Sequence, residues 1–332
     1  MFIIRNAANS DLEDLFTLSQ KANLLNLPSD REKLRELISK SVKSFKSPSQ
    51  NLDENYYLFC LEDKKSQKIV GVSMIHGKHG TPNRPHYYLT VGTEVKQSKT
   101  LKTKIINHTL KLGIEPNGYT EIGGLILDPS YRGFPQKLGK QLSMSRFLYI
   151  VQHRHLFTEQ IHSELLPPFD KNGKSLLWEG LGRKFLNMDY WEADLLSQKD
   201  RSFIHDLFPS ATIYQNLLPP SALQVIGEVG DSTKPVKKML ESIGFEYKSE
   251  VDPFDGGPHY RAKLVDLKPF KEFIEIKGNL LKNQLEEKND LLFLSDTSSF
   301  TENSNYHFCA NLISKLEVNK IKEDLNYKGF FI

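Results

Sequence analysis

The strongest pattern of apolar and polar positions lies between Tyr119 and Val151. Residues 122–127 form an apolar run that holds two glycines and reads as a buried strand. A turn follows, Asp128-Pro129-Ser130-Tyr131-Arg132-Gly133, and then a helical pattern from about Gln136. Leu138, Leu142, Phe147, Leu148 and Val151 fall roughly on one face of that helix. Upstream, Phe2-Ile3-Ile4-Arg5 predicts a first strand. Ser10-Asp11-Leu12-Glu13 has the spacing of a capping box and opens a first helix. Asp30 starts a second helix that runs to about Phe45, and residues 56–61 and 69–75 predict a hairpin.

Downstream the pattern is less regular. Residues 105–112 look helical, 157–165 read as a strand, and 194–208 as a helix stopped by Pro209. Asp252-Pro253-Phe254-Asp255-Gly256-Gly257-Pro258 reads as a tight turn between strands, with glycine supplying positive φ. From Lys268 the composition turns polar and Lys/Glu-rich, with short strands at 291–294 and 307–313.

Bulk properties narrow the field. A chain of 332 residues exceeds one ordinary core and predicts more than one domain. The net charge of +3 is too balanced for a nucleic-acid binder, so any anion site must be local. Two cysteines, Cys60 and Cys309, give neither a disulfide framework nor zinc spacing and fit a reducing, cytoplasmic setting. The apolar start ends at Arg5, too short for a signal peptide, and no later run is long enough to span a bilayer. The scattered Lys96, Lys99, Lys102 and Lys104 read as a solvated face. His76, His79 and His86 have no carboxylate or cysteine at a familiar ligand spacing, so no metal is expected.

The strand, turn and helix at 122–151 carry the candidate chemistry. Free amides at a helix start favour an anion, and Arg132, Lys137 and Lys140 add positive charge. A P-loop is excluded: five residues separate Gly133 from Gly139-Lys140, and Gln141 stands where the metal-binding hydroxyl belongs. Leu127-Asp128-Pro129-Ser130-Tyr131-Arg132-Gly133, followed by Leu138-Gly139-Lys140-Gln141-Leu142, resembles instead the coenzyme A signature of the GNAT N-acyltransferases. The opening order β-α-α-β-β agrees with that fold. An aromatic-to-glycine segment at 178–185 resembles the same superfamily's second signature, and 236–245 repeats it weakly.

A closer resemblance spans almost the whole chain. Tyr87 with Val91-Gly92-Thr93, Leu125-Ile126-Leu127-Asp128-Pro129, Leu181-Gly182-Arg183-Lys184-Phe185 and Phe254-Asp255-Gly256-Gly257-Pro258 are similar to segments of the arginine N-succinyltransferase family. The resemblance implies an α+β, GNAT-like mixed sheet with flanking helices, a partly repeated second half and a small C-terminal β unit. It implies an acyl-CoA-binding domain at 1–195, a half completing the cleft at 196–267, and the terminal unit at 268–332. It implies succinyl-CoA as a co-substrate rather than a tightly bound cofactor. The acceptor would be the α-amine of arginine or ornithine, and the assembly a homodimer or a hetero-oligomer with a related subunit. Leu125, Leu127, Arg132, Gly133, Gly139 and Lys140 are the expected CoA contacts.

One departure bears on mechanism. The family reads Ile-Gly-x-Val-His where this chain has Ile226-Gly227-Glu228-Val229-Gly230-Asp231, so Gly230 stands at the proton donor's position. Asp231 and His259 are the candidate replacements. Glu94, Glu121, Glu164 and Asp255 are candidates to meet a guanidinium. A diverged enzyme acting on another amine, or a non-catalytic CoA-binding subunit, is the alternative.

Overall fold

The computed structural model describes residues 2–22, 27–197, 199–287, 290–294, 306–313 and 315–332. Along the chain, β1 (Phe2–Asn6) leads to helices α1 (Leu12–Ala22) and α2 (Arg31–Lys46). Asp30 caps α2 by accepting from the amides of Glu32 and Lys33, as its residue type and place predict. Strands β2 (Tyr56–Asp63), β3 (Lys68–His79), β4 (His86–Ser98), β5 (Thr103–Glu115) and β6 (Tyr119–Leu127) follow. Next come α3 (Leu138–Gln152), β7 (Gln160–Glu164), and short helices α4 (Leu176–Gly180), α5 (Gly182–Leu186), α6 (Tyr190–Ser197) and α7 (Ser202–Leu207). Then β8 (Ile213–Tyr214), α8 (Pro220–Leu223), α9 (Lys234–Ile243), β9 (Glu246–Val251) and β10 (Pro258–Lys263). The chain ends with α10 (Lys268–Lys271), β11 (Ile274–Lys277), α11 (Gly278–Glu287), β12 (Leu291–Leu294), β13 (Cys309–Ile313) and β14 (Asn326–Phe331).

Two compact units share these elements as interleaved segments. The first holds residues 1–78, 120–159 and 263–332; the second holds 79–119 and 160–262. Positions 195 and 196 therefore lie together in the second unit, and 268–332 share the first unit with residues 1–78.

In the first unit the strands run β11-β14-β12-β13-β1-β2-β3-β6. β1 sits between β2 and β13, with Arg5 opposite both Cys60 and Cys309. Its core packs α1 and α2 on β2 and β3 through Leu15, Leu34, Ile38, Leu58, Val72 and Ile126. Ser73 Oγ donates to the Leu142 carbonyl at 3.0 Å and ties β3 to α3. Among the described residues no helix is long and apolar enough to cross a membrane.

In the second unit the order is β7-β10-β9-β4-β5-β8. Trp178 stacks on Phe254, ring centroids 5.1 Å apart, and Ser175 Oγ donates to the Phe254 carbonyl at 2.8 Å. That contact binds α4 to the 252–258 turn and explains why both segments carry distinctive residues. Residues 105–112 are a strand, not the expected helix: β5 pairs with β4 in register from His86↔Glu115 to Ser98↔Thr103. Its Thr and Ile content suits a strand, and a tight turn with Lys102 at φ 49° closes the hairpin. Residues 194–208 are likewise divided between α6 and α7, and Asp200 Oδ1 accepts from Ser202 N at 2.8 Å just ahead of the second helix.

Candidate active site

The first unit carries the turn that the sequence marks as a candidate anion site. β6 contains Gly124 at φ 53°, which interrupts its regular extension ahead of Leu125 and Leu127, both half-buried. Asp128 then organises the turn. Its Oδ1 accepts from Ser130 N at 3.0 Å, and its Oδ2 meets Lys21 Nζ at 2.6 Å. The Tyr131 hydroxyl donates to Asp63 Oδ2 at 3.1 Å, and its ring stacks on Phe134. Gly133 has φ 77° with open space around it, so its conformation rather than its size calls for glycine.

The helix start follows directly. Lys137 caps α3 at φ 52°, and its carbonyl accepts from Lys140 N and Gln141 N at 2.8 and 3.1 Å. The amides of Leu138 and Gly139 precede those bonds and have no intrahelical acceptor by position. A Cβ on Gly139 would lie 3.8 Å from Leu127 Cδ2, so these two expected CoA contacts adjoin each other. Arg132 is exposed and Lys140 half-buried. Burial, then Lys137 and Lys268, lower the Lys140 pKa, which marks a gathering of amines that an anion would relieve. Behind this surface, fully buried Arg146 donates through Nη1 to the Gly123 carbonyl at 3.2 Å and holds the glycine-bearing strand.

The second unit gathers acids and imidazoles. Asp252 Oδ1 accepts from Phe254 N and Asp255 N at 2.7 and 3.0 Å, and Asp255 Oδ1 from Gly257 N at 2.7 Å. A Cβ on Gly257 would stand 2.3 Å from the Leu165 carbonyl oxygen, so only glycine fits there. Burial pushes the Asp194 carboxyl up to about 7, Glu164 adds to the rise and Arg201 opposes it. Asp194 Oδ2 is buried without a hydrogen-bond partner. Asp252 is raised to about 8 by burial and by the neighbouring charges of Glu164 and Asp194.

Glu164 lies among histidines. Its Oε1 is 3.3 Å from His162 Nε2, 3.6 Å from His86 Nδ1 and 3.9 Å from His259 Nε2. Burial alone would raise its pKa; the hydrogen bond with His162 and the adjacent imidazoles outweigh that and hold it well below the carboxylate range. His259 is fully buried, and burial depresses its pKa to about 3. Spacing in the sequence separates these residues, so the cluster was missed. The available signal was His162-x-Glu164 in a strand, where alternate residues share a face.

The other candidates lie elsewhere. Asp231 is exposed and paired with Lys234 at 2.6 Å. It does not cap α9, whose N-cap is Thr233. Gly230 N donates to the Leu166 carbonyl at 2.9 Å. Glu94 accepts from Tyr214 and pairs with Lys96 on an exposed strand. Glu121 is half-buried on β6 in the first unit.

Comparison with known proteins fits this arrangement. The family profile described as "Arginine N-succinyltransferase beta subunit" matches residues 2–269. An arginine N-succinyltransferase of Yersinia pseudotuberculosis (serotype O:3, strain YPIII) is 36% identical over 275 residues, covering 82% of this chain and 77% of that one. One of Escherichia coli (O6:K15:H31, strain 536) is 34% identical over 261 residues, covering 78% and 75%. The structure of arginine/ornithine succinyltransferase subunit AI from Pseudomonas aeruginosa superposes with a TM-score of 0.77 at 23% identity, over 100% of this chain and 98% of that one, and so shares its fold. With the profile running from β1 to α10, the chain belongs to the arginine N-succinyltransferase family.

Proposed function

We propose that this protein transfers the succinyl group of succinyl-CoA to the α-amine of arginine, or of ornithine. The observation that carries the reading is the family match from β1 through the 252–258 turn, with the basic helix start of α3 inside it. The amides of Leu138 and Gly139, with Arg132, Lys137 and Lys140, suit the CoA pyrophosphate. Asp194 and Asp255 suit a guanidinium, since each is an acid that burial leaves short of positive charge.

The chemistry asks for few groups. The acceptor amine loses a proton, adds to the thioester carbonyl, and expels CoA as a thiolate. An α-amine titrates near ~8 and a thiol near ~8.5, so neither transfer needs a strong catalyst at neutral pH. A backbone amide from 125–127 serves the oxyanion. A missing general acid or base costs roughly 10²–10⁴-fold in rate. Asp231, exposed and held by Lys234, is poorly suited to fill that role. His259 is fully buried and burial depresses its pKa to about 3, so it stays neutral and is poorly suited as well.

The test is thiol release from succinyl-CoA, scanned over arginine, ornithine and lysine, with CoA binding measured in parallel. Turnover with arginine or ornithine is expected. CoA binding with no turnover on any amine would overturn the reading in favour of a non-catalytic subunit.

A further inference from the structure

We propose that His86, His162, His259 and Glu164 form a binding site for one divalent transition-metal ion of the zinc type in the second unit. The four residues come from β4, β7 and β10, and one ligand atom from each lies within 4.8 Å of all the others. A tetrahedral ion with bonds of about 2.0–2.1 Å holds its ligand atoms roughly 3.3–3.4 Å apart. Of the three Glu164 Oε1 separations, the one of 3.3 Å already has that value, and those of 3.6 and 3.9 Å come to it by closing up to about half an ångström around the ion.

The donor set and its surroundings point the same way. Three imidazoles and one carboxylate suit zinc and its first-row neighbours rather than calcium or magnesium. The side chains of His86, His162 and His259 are 2%, 2% and 0% exposed. Both ring nitrogens of His86 and of His259, and Nδ1 of His162, have no hydrogen-bond partner. A purely hydrogen-bonded network would satisfy such nitrogens, because a buried donor or acceptor left unpaired is costly. An ion takes up one such nitrogen from His86 and one from His259, and joins His162 Nε2 to Glu164 where the two already meet at 3.3 Å. On the outer side His259 Nδ1 faces Glu250 Oε2 at 3.9 Å, and Glu250 is held by Arg261 Nη2 at 2.5 Å. Glu164 is 29% exposed, which leaves an entry for the ion from its side.

The inference does not depend on acyl transfer and is tested without it. Chelator-stripped protein is titrated with Zn²⁺ by calorimetry and with Co²⁺ by visible absorption, and its melting temperature is read with and without Zn²⁺. The expected result is one ion per chain, a ligand-field band of tetrahedral intensity for Co²⁺, and a higher melting temperature with Zn²⁺. His162→Gln and Glu164→Gln should each weaken binding by at least about 100-fold, the upper end of what loss of an outer-shell partner costs. His205→Ala, which removes an exposed histidine on α7, should change nothing. Absence of saturable binding to the folded wild-type protein overturns the proposal whatever the variants do. Binding that survives in both ligand variants, or that is lost with His205, overturns it as well.

Discussion

A Cβ built on Gly230 would stand 3.0 Å from the Pro167 carbonyl oxygen. Position 230, where the resemblance implies a proton donor, is closely backed by the 166–167 backbone, and the Gly230 amide is bonded to the Leu166 carbonyl on the same side. Any side chain there must push that backbone aside by a few tenths of an ångström. Gly230→Ala should destabilise by about 1 kcal/mol, the low end of overpacking, and Gly230→His by more. Chemical denaturation of both variants measures this. Thiol release by Gly230→His should not rise above wild type. A tenfold gain in turnover at unchanged stability would show that the backbone yields and that a histidine regains its role.

The α3 start should bind CoA mainly by charge. Lys140→Ala and Arg132→Ala are each expected to weaken CoA binding roughly tenfold at low salt, with less effect at high salt, since exposed charges are screened within ~10 Å at 0.1 M. The half-buried Lys140 should matter more than the exposed Arg132. Because its pKa is lowered, its share of binding should fade first as pH rises into the alkaline range. Equal affinity of both variants and wild type, by calorimetry in low and high salt, would remove the turn from the CoA site.

Asp194 should give the acceptor site a pH dependence. Its folded carboxyl titrates near 7, against an ordinary value of about 3.9. The folded state therefore holds that proton more tightly than the unfolded state. The stability this contributes is complete below about pH 4 and is lost as pH rises through 7. A cationic substrate prefers the ionised form, so amine affinity should improve over the same rise. Asp194→Asn should be more stable than wild type at pH 8, indistinguishable near pH 4, and flat in the pH profile of KM for arginine around 7. Melting curves at the two pH values and a KM profile separate the structural effect from the recognition effect.

What the sequence made legible was local. The 122–151 stretch reads correctly because its strand, its positive-φ Gly133 and its helix are neighbours in the chain, and each imposes its own backbone. The 252–258 turn reads correctly for the same reason, with aspartates accepting from amides two and three residues on. β5 was misread because Ile105, Ile106, Leu110 and Leu112 match a helical period as well as a strand one, and only pairing with β4 decides between them. The histidine and glutamate cluster was invisible because three separate strands bring it together. A pairwise spacing rule sees only His162 and Glu164.

Arg5 offers a test of the first unit that is independent of catalysis. It is buried on β1 and makes a two-pronged contact with Asp11 at 2.8 and 2.9 Å while Nε meets Glu62 at 2.6 Å. Replacing it with methionine fills much of the space but strands two buried carboxylates, a change worth about 3–5 kcal/mol. Lys64 also reaches Glu62 at 2.8 Å, so Asp11 suffers the larger loss. Burial works to raise the Glu62 pKa, but Lys64 and Arg5 together bring it below the ordinary value. A depressed acid contributes stability above its unfolded pKa and loses it as pH falls through the folded one. The penalty of Arg5→Met should therefore be greatest near pH 7 and shrink as pH falls and Glu62 takes up its proton. Denaturation midpoints across that range measure it. A penalty that stayed constant with pH would mean that Arg5 matters for its packing between β2 and β13 rather than for its charge.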